Sequence, residues 1–248
     1  MTLQALIFDV DGTLAETEEA HRHAFNDAFQ AAGFAWYWDP SLYLRLLAVA
    51  GGRERIRHYL AMLQPEFLAD PDLDALIATL HADKTRRYAE RVAAGEVALR
   101  PGVRRLLDEA QAAGLRLAIA TTTGMSNVLA LLDVTLGTGG RERFEVIGAG
   151  EQAAAKKPAP DVYRWVLEQL DLPPRACLAI EDSANGLRAA LGAGIPTVVT
   201  RSRYTQDDGV AGAVAVVDDL EADRVDVERL RCWHAEAQLK ASAGLSNF

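Results

Sequence analysis

Five short apolar runs constrain this chain more than any other feature: "LQALIF" (3–8), "LRLAIA" (115–120), "FEVIGA" (144–149), "ACLAIE" (176–181) and "TVVT" (197–200). Each is bounded by Gly, Pro or polar residues and is shorter than an ordinary helix, so each reads as a buried strand. From Pro101 onward the runs alternate with helical stretches. "PGVRRLLDEAQAAG" opens on Pro and closes on Gly, the punctuation of a helix ahead of a strand. "PDVYRWVLEQLDL" and "SANGLRAALGAG" carry apolar residues at helical spacing. Strands alternating with helices predict an α/β fold, a parallel sheet covered by helices on both faces.

Residues 15–92 break the alternation. They are rich in Ala, Leu, Glu and Arg, helical in pattern, and contain no convincing strand. About 75 residues is long for a crossover connection and sufficient for a small helical subdomain. The expected organisation is a core of residues 1–14 and 93–248 with an all-helical module, 15–92, inserted after the first strand. "DVERLRCWHAEAQLKASAGLSNF" at the end predicts a last helix and a loose tail.

Charge and composition narrow the function classes. Thirty-five acidic residues against 26 basic ones leave a net charge of −9, the wrong sign for a nucleic-acid backbone as partner. Cys177 and Cys232 are the only thiols, too few for a disulfide framework and in keeping with a reducing cytosol. No charged segment followed by a long apolar stretch marks a signal peptide at the N-terminus, and no apolar stretch reaches the ~18 residues that span a bilayer. These features predict a cytoplasmic protein that engages neither nucleic acid nor membrane.

In an open parallel sheet, ligands gather at the carboxyl ends of the strands. The first strand ends in Asp9-Val10-Asp11-Gly12-Thr13, the second in Thr121-Thr122-Thr123 and the fourth in Glu181-Asp182-Ser183; Lys156 and Lys157 precede a helix opened by Pro160. Asp11-Gly12 alone would read as a turn, the threonines or Asp182-Ser183 as helix caps, and Lys157 as a solvated surface residue. Two carboxylates one residue apart on a strand are harder to explain so, because like charges side by side cost stability unless something positive sits between them. All four strand-end groups falling on one rim by coincidence is improbable.

These motifs resemble those of the haloacid dehalogenase superfamily of phosphohydrolases. Its D-x-D-G-T signature matches Asp9-Val10-Asp11-Gly12-Thr13, its strand-end Thr or Ser matches Thr121, its lysine before a helix matches Lys157 in "KKPAPD", and its acidic pair matches Glu181-Asp182 in "IEDSANG". The resemblance implies a Rossmann-like core with an inserted helical cap. It further implies that Asp9 attacks phosphorus to form an aspartyl-phosphate, that Asp11 moves protons, that Thr121 hydrogen-bonds the phosphoryl oxygens, and that Lys157 stabilises charge. Magnesium would be held by Asp9, the backbone carbonyl of Asp11, and Asp182, with Glu181 behind these ligands.

"AETEEAHRHAFN", "GGRERI", "HADKTRRY", "ATTTGMSN" and "AKKPAPD" resemble the CbbY group, which dephosphorylates xylulose-1,5-bisphosphate. This implies a small phosphorylated sugar as partner, bound by Glu18, Gly51, Gly52, Arg53, Glu54, Arg55, His81, Lys84, Thr121, Thr122, Thr123 and Asn127. A bisphosphate needs a second anion site, and Arg53, Arg55 and Lys84 supply donors. The alternatives are another sugar-phosphate phosphatase, a β-phosphoglucomutase-like enzyme, or a non-catalytic phosphosugar sensor. His21 stays unassigned between a role beside the hinge and packing against Phe25.

Overall fold

The computed structural model describes residues 1–242. The chain forms two compact units, Met1–Glu16 with Ala98–Phe248 and, between them in sequence, Thr17–Val97. The expected tail beyond Ser242 lies outside the described residues.

The first unit is a six-stranded sheet, every neighbouring pair parallel, in the order β3-β2-β1-β4-β5-β6. Its strands are β1 (Ala5–Phe8), β2 (Arg116–Ala120), β3 (Val146–Gly148), β4 (Cys177–Glu181), β5 (Thr197–Thr200) and β6 (Ala215–Val217). The five apolar runs are the first five of these. β6 was not expected: it is three residues long and partly exposed at the sheet edge, so it carries no period by which to read it. β1 and β4 are buried along their whole length, as strands covered on both faces must be.

The helices of this unit fall where the sequence punctuates them. α5 (Val103–Ala112) follows Gly102 and closes before Gly114; α7 (Asp161–Leu170) starts after Pro160; α8 (Ala184–Gly192) is capped by the Ser183 hydroxyl, which accepts from the Gly186 N–H at 3.1 Å. α6 (Met125–Leu136) and α9 (Val227–Ser242) complete the set among the described residues, counting from α5 onward. α7 and α8 pack on one side, where Val162, Tyr163, Val166, Leu170, Ala189 and Ala190 share a core with Ala5, Ile7, Ala118 and Ala179. The chain leaves and re-enters the unit side by side: Ala15 bridges Leu99, and the Arg100 N–H donates to Leu14 O at 2.9 Å.

The second unit consists of α1 (Glu18–Ala31), α2 (Pro40–Leu46), α3 (Gly52–Leu63) and α4 (Leu73–Ala93), with a short 3-10 turn at Pro65–Ala69. It spans Thr17–Val97, where the sequence pattern sets 15–92. Its centre is aromatic: Phe25, Phe29 and Trp38 are almost fully buried, with ring centroids 4.6 Å (Phe25–Trp38) and 5.0 Å (Phe29–Trp38) apart. The backbone at Trp38 is irregular, so α1 supplies its hydrogen bonds. Asn26 Nδ2 donates to Trp38 O at 3.0 Å, the Trp38 N–H donates to Asn26 Oδ1 at 2.8 Å, and Arg22 Nη1 donates to the same carbonyl at 3.0 Å.

Because that N–H is buried, Asn26→Ala leaves it unsatisfied, and we expect a loss of about 2 kcal/mol in the stability of the helical unit. Urea unfolding followed by tryptophan fluorescence measures it. A change below about 0.5 kcal/mol would show that Asn26 is not what holds this segment.

Candidate active site

The strand order decides which groups can meet. β1 lies between β2 and β4, so the ends of all three open onto one rim. Asp9 extends the β1 ladder, its N–H donating to Ile180 O at 3.0 Å. Lys157, in the loop before α7, reaches this rim from outside the sheet. Its ammonium donates to Asp9 Oδ1 at 2.6 Å, to Glu181 Oε1 at 2.6 Å and to the Ala120 carbonyl at 2.8 Å. Three N–H groups thus meet three acceptors, and Lys157, Asp9 and Glu181 are all buried. Burial alone would push the ammonium down, but the Asp9 and Glu181 carboxylates beside it outweigh burial and hold Lys157 charged. Burial pushes the Asp9 carboxyl up, to about 7, against the pull of Lys157 and with Glu181 and Asp11 adding to the rise.

Lys157 thus ties Asp9 to Glu181. Asp11 has left the strand for the turn at 10–15, where Leu14 N and Ala15 N donate to Val10 O. The Thr123 hydroxyl donates to Asp11 Oδ2. The Thr121 hydroxyl, almost fully buried, accepts from the Thr123 N–H at 3.2 Å. None of the three threonines caps α6. That helix begins after Gly124, and the Glu151 carboxylate accepts from the Met125 N–H at its first turn. Ser183 does cap α8, and the Asp182 carboxylate accepts from the Ser202 hydroxyl at 2.7 Å.

Two glycines make room for the acids. Gly12 has φ +80°, and a Cβ there would run into the Asp182 carboxylate. A Cβ on Gly186 would run into that of Glu181. Tyr163 on α7 completes the group: its hydroxyl donates to Glu181 Oε1 at 2.5 Å, and burial, with that carboxylate alongside, holds the phenol well above its usual range, so it stays a donor. Neither Tyr163 nor Ser202 stands out in the sequence. A tyrosine at helical spacing reads as core, and Ser202 lies in the polar loop "RSRYT" with no periodic context.

Carboxylate oxygens of Asp9, Glu181 and Asp182 lie within 4.8 Å of one another, a set that fits a divalent cation. They are hard oxygen donors, and against three buried carboxylates Lys157 supplies one positive charge. Within this set Glu181 Oε1 accepts from both Lys157 and Tyr163, Asp9 Oδ1 from Lys157, and Asp182 Oδ2 from Ser202.

The other residues expected at a site lie in the helical unit, apart from Thr122 and Asn127. Thr122 is half-buried in the loop after β2, and Asn127 is buried in the first turn of α6, its Oδ1 without a hydrogen-bond partner among the described residues. Within the helical unit, Tyr43 donates to Glu18 Oε2 at 2.7 Å and accepts from Arg55 Nη1 at 3.0 Å, a chain joining α1, α2 and α3. Arg55 also stacks over the Tyr43 ring. Gly51 precedes α3 with φ +94°; Arg53 and Glu54 on its first turn are exposed; and Gly52 lies against the half-buried His81 ring. Lys84 is buried, 2.8 Å from His21 Nδ1 and over the rings of Phe25 and Tyr88. Since an ammonium only donates, His21 Nδ1 is the acceptor and its hydrogen is on Nε2.

A family model for haloacid dehalogenase-like hydrolases matches residues 3–194. The chain belongs to that family. It is 51% identical over 254 residues to protein CbbY of Cupriavidus necator, across 97% of this chain and 100% of the relative. To protein CbbY of Rhodobacter capsulatus it is 52% identical over 222 residues, 90% of this chain and 96% of the other. A crystal structure of a mutant CbbY from Rhodobacter sphaeroides, in complex with xylulose-1,5-bisphosphate, matches with a TM-score of 0.84 at 45% identity, covering 92% of this chain and 99% of that one. These relatives place the chain among the CbbY-type phosphatases of the haloacid dehalogenase-like hydrolases.

Tyr163→Phe removes one of the two donors to Glu181 Oε1 while keeping the ring under Lys157. The buried oxygen loses a hydrogen bond, and we expect a stability loss of about 1.5 kcal/mol in urea unfolding. An unchanged midpoint and slope would mean that Lys157 alone satisfies Glu181.

Proposed function

We propose that this protein is a magnesium-dependent phosphatase that removes one phosphate from a sugar bisphosphate, xylulose-1,5-bisphosphate in particular, releasing xylulose 5-phosphate. The observation that carries this reading is the Lys157 ammonium bonded to Asp9 at 2.6 Å, with Asp11 held separately by Thr123. Two aspartates two positions apart are thereby in different environments, which is what two different roles require. The CbbY complex with xylulose-1,5-bisphosphate supports the choice of substrate.

In this mechanism an oxygen of Asp9 attacks phosphorus, and the bond from phosphorus to the sugar oxygen breaks as Asp11 gives that oxygen its proton. Asp11, now a carboxylate, takes a proton from a water that attacks the aspartyl-phosphate. The Asp9–phosphorus bond breaks, and inorganic phosphate and free Asp9 result. Lys157 orients Asp9 and offsets charge on the transferring group, Thr121 donates to its oxygens, and Thr123 holds Asp11 toward the leaving oxygen. Magnesium held by Asp9, the Asp11 carbonyl and Asp182 would supply further charge stabilisation. Thr17–Val97 acts as the cap domain: Glu18, Gly51–Arg55, His81 and Lys84, with Thr122, Thr123 and Asn127 of the core, bind the sugar and its second phosphate.

Phosphate release from a panel of sugar mono- and bisphosphates tests the reading. Asp9→Asn keeps the shape of the nucleophile but not its charge, and should lower turnover on every substrate by at least ~1000-fold. Turnover within about tenfold of the unmodified enzyme would rule out the covalent route.

Arg55→Ala separates the substrate class. Charge-assisted donors to a phosphate contribute about 1.5–3 kcal/mol, so kcat/KM for the bisphosphate should fall ~10- to 100-fold. Arg55 also donates to Tyr43, so some loss is expected on any substrate. A small aryl phosphate, with no second phosphate to grip, should lose much less. Equal losses on both would reduce Arg55 to a support for Tyr43 and Glu18.

A further inference from the structure

One buried guanidinium at the rim has no part in the chemistry above. Arg100, 7% exposed, lies where the chain re-enters the α/β unit. Its Nη1 donates to the carbonyls of Gly12 and Thr200 and its Nη2 to those of Arg201 and Asp218, at 2.5–3.1 Å. Its Nε pairs with Glu16 at 3.3 Å. All five N–H groups of the fork have an acceptor. Four carbonyls from the β1 turn, the end of β5 and the end of β6 point at one planar cation, which explains how a guanidinium is tolerated so far from water.

Those carbonyls are not arbitrary points of the backbone. Gly12 is the residue whose Cα lies against the Asp182 carboxylate. Thr200 and Arg201 lead directly into Ser202, whose hydroxyl donates to Asp182 Oδ2 at 2.7 Å. Thr205 Oγ1 accepts from the Ser202 N–H at 3.0 Å and fixes the turn that aims that hydroxyl. The Asp182 carboxylate therefore lies between two backbone walls, and Arg100 is bonded to both.

We propose that Arg100 is a positioning residue for the divalent-cation site: by tying the Gly12 turn to the Thr200–Ser202 segment, it sets the orientation of the Asp182 carboxylate. This rests on the reading of Asp9 and Asp182 as cation ligands. Magnesium demands near-ideal octahedral geometry with oxygens at about 2.0–2.1 Å and tolerates little ligand displacement. Groups that orient a ligand from behind commonly change metal affinity ~10- to 100-fold when removed. Lysine cannot replace the fork, because one ammonium cannot reach carbonyls on both walls in the same plane.

The test is calorimetric titration of the substrate-free protein with magnesium chloride, for the unmodified protein, Arg100→Lys, Ser202→Ala and the double variant. Arg100→Lys should weaken magnesium binding about tenfold, and Ser202→Ala by a smaller factor. The double variant should fall short of the product of the two, because both act on one carboxylate. Turnover of Arg100→Lys should rise toward that of the unmodified enzyme as magnesium is raised. A folded Arg100→Lys that binds magnesium as tightly as the unmodified protein overturns the proposal, whatever its melting temperature. So does an Arg100→Lys that does not fold, since the residue would then be making the fold rather than tuning a site within it. If the unmodified protein itself binds no magnesium, the assignment of Asp9 and Asp182 as ligands fails, a result distinct from either.

Discussion

The structure depends first on the Lys157 ammonium and its three acceptors. A buried cation is costly unless every N–H is satisfied and opposite charge is close by. Here those conditions are met by Asp9 from the end of β1, the Ala120 carbonyl from the end of β2 and Glu181 from the end of β4. Only a sheet in which β1 lies between β2 and β4 brings those three ends together. Moving any one strand would leave the buried ammonium short of an acceptor, so topology and charge pairing support each other. Tyr163 and Gly186 follow from the same requirement: one gives Glu181 a second donor, the other leaves space for its carboxylate.

Around that centre the rim is organised by unlike solutions to one problem, that of holding carboxylates close together. Asp9 is held by an ammonium, Asp11 by the Thr123 hydroxyl and Asp182 by the Ser202 hydroxyl. The differences matter chemically. An ion pair sets a full positive charge against the nucleophile, while a hydroxyl donor orients a carboxylate through a neutral hydrogen bond. Arg100, apart from its pair with Glu16, acts on backbone carbonyls, and so shapes the walls of the rim without adding a donor to Asp9, Asp11 or Asp182.

The helical unit solves a separate packing problem. Its rings supply the buried area that a unit of about 80 residues needs to fold around one core. Asn26 and Arg22 satisfy the irregular backbone at Trp38. On this aromatic base the Glu18–Tyr43–Arg55 chain and the Lys84–His21 pair hold polar groups from different helices in defined geometry.

Much of the α/β unit is legible in the residue order. Apolar runs of four to six residues, punctuated by Pro and Gly, carry the period and length of strands, and β1 to β5 lie within them. Asp9-Val10-Asp11-Gly12-Thr13, Thr121, Lys157 and Glu181-Asp182 stand out because carboxylates, hydroxyls and a lysine at strand ends have a chemical use there. The sequence by itself determined the parallel α/β class and which residue types crowd one rim, since both follow from local period and position along the chain. Tertiary structure alone decided the rest: that Lys157 bridges Asp9 to Glu181 and not to Asp11, that Thr123 holds Asp11 while Glu151 caps α6, that Ser202 and Tyr163 belong with the acids, and that β6 closes the edge. Each is a pairing between segments far apart in sequence, chosen by which strand ends the sheet order makes neighbours, and no local pattern of residues encodes that order.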